Sequence, residues 1–412
     1  MIMSNTMTAR PYSGIRIIDL TQELGAYASR LFADLGAEVI RVEDKQGRSR
    51  MRPPLVAGDA QTAWGGVGHA FLNINKKSVV LDLHTEAGKA VLKDLIATAQ
   101  IVFYEPDGAA QSAQTEISAV ELADLVAVPG PRIVTSISYF GLTGPYSGYV
   151  GTDLIAQALG GIAWLSGEPD KPPLQLAGQQ SIFVASLYAA TATAIALWEC
   201  EATGRSHVLD VSAQEAIAHS LQNAVQVYDL EKRVSSRGGE GVRDATEAAF
   251  ACKDGYVFLA APLSLPASWN GIRNWMEEEH YAPVARLNEA DWANRPLRCT
   301  AAMRKEFKDL FERFIANKTK QEMREQALKR KLVMAPVSTL ADLQHDPQLI
   351  YRQYFHTVVM PHTGASVAVP GAPYRLSEPL WSLERAAPDL GQDQHSVLGP
   401  HAAGQAASGG RV

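Results

Sequence analysis

Short apolar blocks alternate with amphipathic stretches along the first part of the chain. GIRIIDL at 14–20 and AEVIRVE at 37–43 are apolar runs of the kind that form buried strands. Between them, AYASRLFADLG at 26–36 repeats its apolar residues at helical spacing and ends at Gly36, a residue that commonly stops helices. The pattern predicts a strand, a helix and a second strand, which together form a βαβ unit with parallel strands.

Similar blocks continue to about residue 140. Strands are predicted for SVVLDL (78–83), IVFY (101–104) and RIVTSIS (132–138), and a helix for EAGKAVLKDLIATA (86–99). Because parallel strands joined by helices form a sheet covered on both faces, we expect a doubly wound α/β domain. Its ligands should bind near the carboxyl ends of the strands.

The most apolar run in the chain is FVASLYAATATAIALW at 183–198. Its 16 residues fall short of the ~20 needed to cross a bilayer, and it is rich in Ala and Thr. Small residues allow another element to approach closely. The run therefore predicts a buried helix, in a packed interior or at a subunit interface, and no membrane partner is expected.

Length and composition indicate an ordinary globular protein of more than one structural unit. The chain has 412 residues, whereas domains cluster near ~100 to 200 residues. Apolar residues make up 46% and charged residues 20%, and the net charge of −6 argues against nucleic acid as a partner. The first residues, MIMSNTMTARPYSG, lack the apolar core of a signal peptide, so a cytoplasmic protein is expected.

The cysteines indicate neither a disulfide framework nor a zinc site. Cys200, Cys252 and Cys299 are odd in number, widely spaced and without CxxC spacing. We expect all three to be buried small apolar residues, and we expect no metal.

A dinucleotide-binding enzyme is the first alternative for such a fold. Glu43 ends the second predicted strand about where an acid that binds ribose would lie. The loop after the first strand, TQELGAYAS at 21–29, has one glycine and lacks the GxGxxG pattern that lets a pyrophosphate approach a helix start. The sequence therefore argues against NAD binding.

Asp170 lies among three prolines in GEPDKPP at 167–173, a stretch that cannot be helix or central strand. A solvated turn is the simplest interpretation. However, DLIAQALGG at 153–161 predicts a short helix just before it, capped by Thr152 or Asp153, and the long apolar helix follows. Asp153 is therefore interpreted as structural. Asp170 lies on a stiff connection between two buried helices, where a carboxylate could be held as a nucleophile.

The chain resembles the class III CoA-transferases of the CaiB/BaiF type from about Gly14 to Leu398. In that family the aspartate matching Asp170 is the acyl-accepting nucleophile, and the resemblance transfers that role. The matching stretches, in order, are GIRIIDLT, LFADLGAEVIRVE, NINKKSVVLDL, the glycine-ended helix before SGEPDKPP, ATGRSHVLDVSAQEA, KDGYVFLAA, MAPVSTLADLQHDPQ and APDLGQDQHSVL.

The resemblance implies an acyl-CoA:carboxylate CoA-transferase that works through an aspartyl mixed anhydride and an aspartyl-CoA thioester. CoA and acyl-CoA are then substrates, a carboxylic acid is the acceptor, and no cofactor is permanently bound. Glycines of SSRGGEGVR are expected to act as a catalytic lid, with a plain hinge as the alternative: Gly238, Gly239 and Gly241. Expected CoA-binding residues are Gln22, Glu23, Leu24, Lys45, Arg48, Leu81, His84, Ser138 and Tyr139, and Arg50 and Arg52 extend the same basic cluster.

Three departures from the family pattern concern the CoA site, and one of them is a first loop that is one residue shorter than in the family. The family often has an asparagine-phenylalanine-x-proline-glycine turn with a nearby arginine, whereas this chain has FYEPDG at 103–108. A lysine that the family commonly carries after the next strand is replaced by Ser138.

The resemblance also implies an architecture. It predicts a large α/β domain from residues 10–210 and 326–400, a small α+β domain at 225–325, a flexible tail at 401–412, and an interlocked homodimer.

Two other functions belong to the same fold. A racemase of the same family needs two titratable groups where this chain has Thr152 and Gln179, which do not titrate usefully. A non-catalytic relative that only binds CoA esters remains open as the alternative.

Overall fold

The computed structural model describes most of the chain, in two compact units. The described residues are 10–47, 50, 66–106, 120–168, 171–221, 224–237, 243–359, 364 and 366–399. The first unit comprises residues 1–167, 172–226 and 353–412, and the second comprises 168–171 and 227–352.

A parallel six-stranded sheet forms the centre of the first unit and confirms the predicted α/β class. Its strand order is β3-β2-β1-β4-β5-β6. The strands are β1 (Arg16–Leu20), β2 (Glu38–Glu43), β3 (Lys77–Val80), β4 (Ile101–Tyr104), β5 (Ile133–Ser138) and β6 (His207–Ser212). The direction of winding reverses between β1 and β4, and such a reversal opens a crevice at the carboxyl ends of the two strands.

The sheet is covered on both faces. Alternate residues of each strand point to opposite sides, and the two sets belong to two separate cores. Ile17 and Phe103 belong to a core shared with α1 and α7, whereas Ile18 and Val102 belong to a core shared with α3. The helices of this unit are α1 (Ala26–Asp34), α2 (Val67–Leu72), α3 (Glu86–Ala97), α4 (Leu122–Val126), α5 (Asp153–Leu159), α6 (Ile162–Leu165), α7 (Gln180–Thr203) and α8 (Ala213–His219). Helix α9 (Ala224–Glu231) crosses the boundary between the units.

Helix α7 is longer than the apolar run that predicted it. With 24 residues, it is long and apolar enough to cross a membrane by length and composition. The core helix of a globular protein has the same properties, and α7 packs against α1, α8, β5 and β6. Thr193, on its buried face, hydrogen bonds Thr135 of β5 at 2.7 Å. The face of α7 that carries Thr193 is buried as predicted, but Leu187, Ile195 and Trp198 are exposed, so the prediction of a buried helix holds for one face only.

A two-stranded antiparallel sheet, β10 (Phe355–Val359) with β11 (Ser366–Pro370), returns to the first unit after the second unit ends. Val358 and Val369 pack on Ile74, which precedes β3.

The second unit contains an antiparallel sheet in the order β7-β8-β9. Its strands are β7 (Ala248–Cys252), β8 (Gly255–Ala260) and β9 (Val333–Pro336). Trp275, Phe307 and Phe311 belong to the core of this unit. Its helices are α10 (Pro266–Glu278), two 3-10 helices (Ala282–Asn288 and Ala290–Ala293), α11 (Arg295–Arg298), α12 (Ala301–Ile315), α13 (Lys320–Arg330), α14 (Leu340–Gln344) and α15 (Pro347–Tyr351).

The three cysteines are unpaired thiols. Cys200 is buried, as expected, but Cys252 and Cys299 are half-buried. The expectation of burial is therefore wrong for these two.

Candidate active site

A cavity of about 550 Å³ lies in the first unit where β1, β4 and β5 end. The loops after these strands, the start of α5 and the segment before α7 form its walls. The lining residues are Gln22, Glu23, Leu24, Glu105, Pro106, Ser138, Tyr139, Phe140, Gly141, Leu142, Ser147, Tyr149, Val150, Gly151, Thr152, Asp153, Leu154, Gln175, Gly178 and Gln179.

The loop between β1 and α1 is held closely against the sheet. Asp19 accepts hydrogen bonds from the Thr21 backbone N–H at 3.0 Å and from the Thr21 hydroxyl at 2.6 Å. At Gly25 a Cβ would lie 2.5 Å from Ile137 Cδ1, so the backbone of this loop approaches β5 more closely than other residues allow. The loop therefore presents its backbone N–H groups to the cavity in a defined arrangement.

A buried ion pair supports this loop from below. The Lys76 ammonium donates to Asp19 Oδ2 at 2.8 Å, to the Ala26 carbonyl at 2.8 Å and to Asn73 Oδ1 at 2.9 Å. Burial raises the pKa of Asp19, but the charges of Lys76 and Arg41 outweigh it and lower that pKa to about 2. Burial lowers the pKa of Lys76 to about 8, against the opposing effect of Asp19. Both charges are thus present at neutral pH.

Glu105 occupies the backbone N–H groups of the same loop. Its Oε2 atom accepts hydrogen bonds from Gln22 N at 2.8 Å, Glu23 N at 2.9 Å and Leu24 N at 3.0 Å. We call these three N–H groups the amide nest. Glu105 directly follows β4, whose last residue Tyr104 pairs with the last residue of β1. A carboxylate of the chain itself is therefore bound at the crevice where the sheet reverses.

The loop after β5 forms an aromatic wall. Ser138 Oγ accepts from Gly141 N at 2.8 Å, which closes a turn directly after the strand. The Tyr139 ring packs on the backbone of Gly151, where a Cβ would lie 2.0 Å from the ring. Phe140 and Tyr149 continue the wall, with ring centroids 6.5 Å apart in an edge-to-face arrangement.

Thr152, rather than Asp153, caps helix α5, because its side chain accepts a hydrogen bond from Ile155 N. Asp153 has a different structural role. Its Oδ1 accepts from Ser181 N at 2.9 Å and from Ser181 Oγ at 2.6 Å. Its Oδ2 accepts from Gln157 at 2.7 Å and from Gln175 at 2.9 Å. Asp153 thus joins the starts of α5 and α7 and orients Gln175 at the cavity.

The described ends of the segment around Asp170 are joined to each other. Leu174 N donates to the Ser166 carbonyl at 3.1 Å and joins the two ends of the segment. Gln175, the next residue, lines the cavity. Asp170 itself lies outside the described residues, as do Arg48, Gly238, Gly239 and Gly241.

The other predicted CoA-binding residues divide into two groups. Gln22, Glu23, Leu24, Ser138 and Tyr139 all line the cavity. The remaining three lie at the carboxyl ends of β2 and β3 and do not line it.

Two of these residues, Lys45 and His84, contact the same acid, Asp82. The Lys45 ammonium lies 3.6 Å from Asp82 Oδ2, and His84 N donates to Asp82 Oδ1 at 3.2 Å. Leu81 is fully buried in the core shared with α3.

Arg50 cannot act as part of a solvent-facing basic cluster, because it is buried. Its guanidinium is paired with Glu43 and donates to the Pro388 carbonyl at 2.9 Å. The expectation that Arg50 extends that cluster is therefore wrong. Arg52 lies outside the described residues. Glu43 also accepts from Ser78 Oγ at 2.5 Å, so it is not available to a ribose, in agreement with the argument against NAD.

The sequence alone did not single out Glu105 or Lys76. A signal was present for each: FYEPDG carries an acid in a turn directly after a predicted strand, and NINKKSVVLDL carries a lysine directly before one. Within the described ranges, no three His, Cys, Asp or Glu side chains form a group that could hold a metal ion.

Comparison with known proteins identifies the family. Residues 12–394 match the profile of CoA-transferase family III. The chain is 31% identical to the succinyl-CoA:(R)-benzylsuccinate CoA-transferase subunit BbsE of Thauera aromatica over 94% of its length and 93% of that protein. It is 26% identical to the succinate–glutarate CoA-transferase of Agrobacterium fabrum, over 94% of its length and 95% of that protein.

A solved structure agrees on the fold. The crystal structure of a CaiB/BaiF family protein from Brucella suis superposes with a TM-score of 0.81 at 22% identity, over 94% of this chain and 98% of that one. The family match spans both units, and relatives matched along nearly their whole length are named CoA-transferases. The chain therefore belongs to CoA-transferase family III and is a CoA-transferase.

Proposed function

We propose that this chain moves CoA from an acyl-CoA donor to a carboxylic acid and that Asp170 is the nucleophile. The family match over residues 12–394 carries the proposal, because it includes the segment around Asp170 and every loop that lines the cavity. A carboxylate with an ordinary pKa of about 3.9 is ionised at neutral pH and needs no general base.

In the first half of the reaction, an Asp170 oxygen attacks the thioester carbonyl carbon. The carbon–sulfur bond breaks, CoA leaves as a thiolate, and a mixed anhydride links the acyl group to Asp170. The thiolate then attacks the Asp170 carbonyl carbon of that anhydride. The donor acid departs as a carboxylate, and Asp170 is left as a CoA thioester.

The second half reverses these steps with a different acid. The incoming carboxylate attacks the aspartyl thioester and displaces the thiolate, which forms a second mixed anhydride. The thiolate then attacks the acyl carbon of the new acid, and this step releases a new CoA ester and restores the Asp170 carboxylate. No net proton is taken up or released.

Each of these intermediates reacts with water, so the site has to exclude water and stabilise negative charge on a carbonyl oxygen. Backbone N–H groups suit the second task because they need no reorganisation as charge develops. A glycine-rich lid suits the exclusion of water, and we assign that lid to Gly238, Gly239 and Gly241.

The substrate's CoA part is proposed to lie along the carboxyl edge of the sheet. Gln22, Leu24 and Tyr139 line the cavity, and Lys45 and His84 follow β2 and β3 on the same edge. A ligand that is longer than the cavity can reach both regions if it follows this edge. Its phosphates would then meet Lys45, with Arg48 and His84 as further contacts, whereas Leu81 is fully buried and supports this edge only through the core.

The partners proposed are a CoA ester and a small carboxylic acid, and the assembly proposed is an interlocked homodimer. Relatives from Chloroflexus aurantiacus are named as alpha and beta subunits. A complex with a second, related chain is therefore the alternative to a homodimer. The unpaired Cys200, Cys252 and Cys299 suit a reducing compartment, so we assign the protein to the cytoplasm. Light scattering of the purified chain distinguishes a homodimer from a monomer that lacks its partner.

The experiment that tests the function compares the wild-type chain with Asp170→Asn. CoA exchange is measured between donors of several acyl classes, phenylacetyl-CoA and succinyl-CoA among them, and a panel of carboxylic acids, and binding of CoA esters is measured separately. We expect exchange to fall by at least ~10³-fold while ester affinity changes little, because only covalent chemistry is lost. Exchange retained by Asp170→Asn would exclude Asp170 as the nucleophile. A wild-type chain that binds CoA esters without exchange would instead support the non-catalytic alternative.

A further inference from the structure

The cavity is acidic and has no basic side chain among its described lining residues. Of those residues, none is a lysine, arginine or histidine, whereas Glu23, Glu105 and Asp153 all line it. Asp153 is held by four hydrogen bonds from Ser181, Gln157 and Gln175. Glu23 accepts a hydrogen bond from Gln179 at 2.7 Å. A second carboxylate on the substrate would therefore enter a region that already carries like charge.

The amide nest could otherwise offset that charge. Three convergent backbone N–H groups bind a carboxylate well, and they lie before the first turn of α1, whose partial positive charge adds to the attraction. Glu105 already accepts from all three N–H groups at 2.8 to 3.0 Å. A substrate carboxylate can use the nest only if it displaces Glu105, and Glu105 is delivered by the neighbouring strand at high effective concentration.

The aromatic part of the lining favours a flat, uncharged group. Tyr139, Phe140 and Tyr149 are contributed by one loop, and Tyr139 is held in place by its close packing on Gly151. Aromatic faces of this kind gain by stacking or edge contact with a ring or an apolar chain, and they offer no charge to a carboxylate.

We propose that Glu105 determines substrate specificity: by filling the amide nest, it makes this cavity accept the acyl group of an aromatic or apolar monocarboxylic acid and reject one that bears a second carboxylate. The inference rests on the proposed function, because it assigns the acyl class of that reaction. The acyl class proposed here differs from the dicarboxylic substrates, succinyl-CoA, glutarate and malate, in the names of several relatives.

Binding, rather than turnover, tests this inference. Dissociation constants of phenylacetyl-CoA and succinyl-CoA are measured by calorimetry on the full chain carrying Asp170→Asn, so that no chemistry consumes the ester. We expect phenylacetyl-CoA to bind at least ~10-fold more tightly, the scale of one unfavourable charge contact. Equal affinities, or a preference for succinyl-CoA, would overturn the proposal.

Two substitutions at Glu105 separate occupancy of the nest from charge. Glu105→Ala empties the nest and should reduce the preference by ~10-fold or more, because the freed N–H groups can bind the distal carboxylate. Glu105→Gln removes the charge but keeps a carbonyl oxygen in the nest, so it should change the preference by no more than ~3-fold. A change of equal size in both variants would contradict the role assigned to the nest.

Chemical rescue gives a second readout that does not depend on CoA. Sodium acetate should raise the melting temperature of Glu105→Ala relative to sodium chloride at the same ionic strength, because acetate can replace the missing carboxylate. The same salts should not differ for Glu105→Gln or for the chain that retains Glu105. Absence of acetate-specific rescue in a folded Glu105→Ala protein would overturn the proposal. If that variant does not fold, the test uses the ester affinities of Glu105→Gln and of the chain that retains Glu105. Loss of the preference for phenylacetyl-CoA in Glu105→Gln would contradict the claim that occupancy of the nest causes the preference.

The outcomes for function and for specificity are distinct. Failure of the wild-type chain to exchange CoA with any donor would contradict the proposed function. The ratio of the affinities for phenylacetyl-CoA and succinyl-CoA would still measure the selectivity of the cavity. Exchange that runs equally well with succinyl-CoA and phenylacetyl-CoA sinks the specificity inference alone.

Discussion

Replacing Asp153 by alanine should destabilise the first unit far more than loss of a helix cap. The carboxylate accepts four hydrogen bonds, two from Ser181 and one each from Gln157 and Gln175. Ser181 and Gln157 are both 0% exposed, so their donors cannot turn to water when the carboxylate is removed. Each buried donor left unsatisfied costs about 1–3 kcal/mol, which suggests a total near 4 kcal/mol.

Thermal unfolding at pH 7 followed by far-ultraviolet circular dichroism can measure this difference. At about 2 °C per kcal/mol for a unit of this size, Asp153→Ala should lower the melting temperature by about 8 °C. Thr152→Ala is the matched control, because it removes the cap of the same helix and should cost about 1 kcal/mol, or about 2 °C. Asp153→Asn should fall between them, since it keeps an oxygen for Ser181.

The refuting result is a loss in Asp153→Ala no larger than the loss in Thr152→Ala. That outcome would mean that Asp153 contributes only as a residue of the first helical turn. The junction between α5 and α7 would then need another explanation.

The other predictions concern the cavity wall and two buried charges. Gly151→Ala should raise KM for the CoA ester by displacing the aromatic ring packed on it, whereas Gly148→Ala, which has open space at its Cβ, should not. Burial raises the pKa of Asp34 to about 6, above its ordinary value of 3.8, despite the opposing Arg30 charge. Between these values the native state binds more protons than the unfolded state, so stability should fall by up to about 3 kcal/mol as pH rises from 4 to 7. An Asp34→Asn chain should lack this dependence in melts across that range. Lys76→Met should lower the free energy of unfolding by about 3–5 kcal/mol, because it leaves Asp19 buried without its ammonium partner. The double variant with Asp19→Asn should lose less stability than the sum of the two single variants.

Each of these has a contrary outcome. Equal KM values for the two glycine variants would mean that the aromatic wall does not contact substrate. If the melting temperature of the Asp34→Asn chain changes with pH in parallel with that of the wild type, the pH dependence of stability comes from a group other than Asp34. Additive losses at Lys76 and Asp19 would show that the two side chains do not act as a pair.

The strands could be predicted from sequence because burial on both sheet faces makes them continuous apolar runs. IVFY is observed as β4 at 101–104, with the predicted bounds. SVVLDL is predicted to extend to residue 83, but β3 ends at Val80; Leu81 N still donates to the Glu43 carbonyl at 3.2 Å, and the turn into α3 begins at Leu83. Apolar character alone does not reveal where pairing to β2 stops.

Charged residues were harder to predict, because their burial depends on distant parts of the chain. Arg30 and Asp34 lie on α1 at spacing typical of an exposed pair, yet each is 2% exposed. Asn75 Nδ2 donates to Asp34 at 2.7 Å and to the Ser382 carbonyl at 2.8 Å, which brings a segment from the end of the chain over this helix. The amide nest is similar in this respect, since Glu105 is more than 80 positions from the N–H groups it binds.

The central claim is that an acyl group passes through Asp170, and peptide mass spectrometry tests it most directly. The wild-type chain is mixed with an acyl-CoA, quenched in acid within seconds and digested, and the peptide containing residues 167–173 is examined. The account predicts that this peptide gains the mass of CoA less one water, as the aspartyl thioester, and that Asp170→Asn abolishes the gain. Continued CoA exchange with the adduct on another residue, or with no adduct under any quench time, would contradict the account.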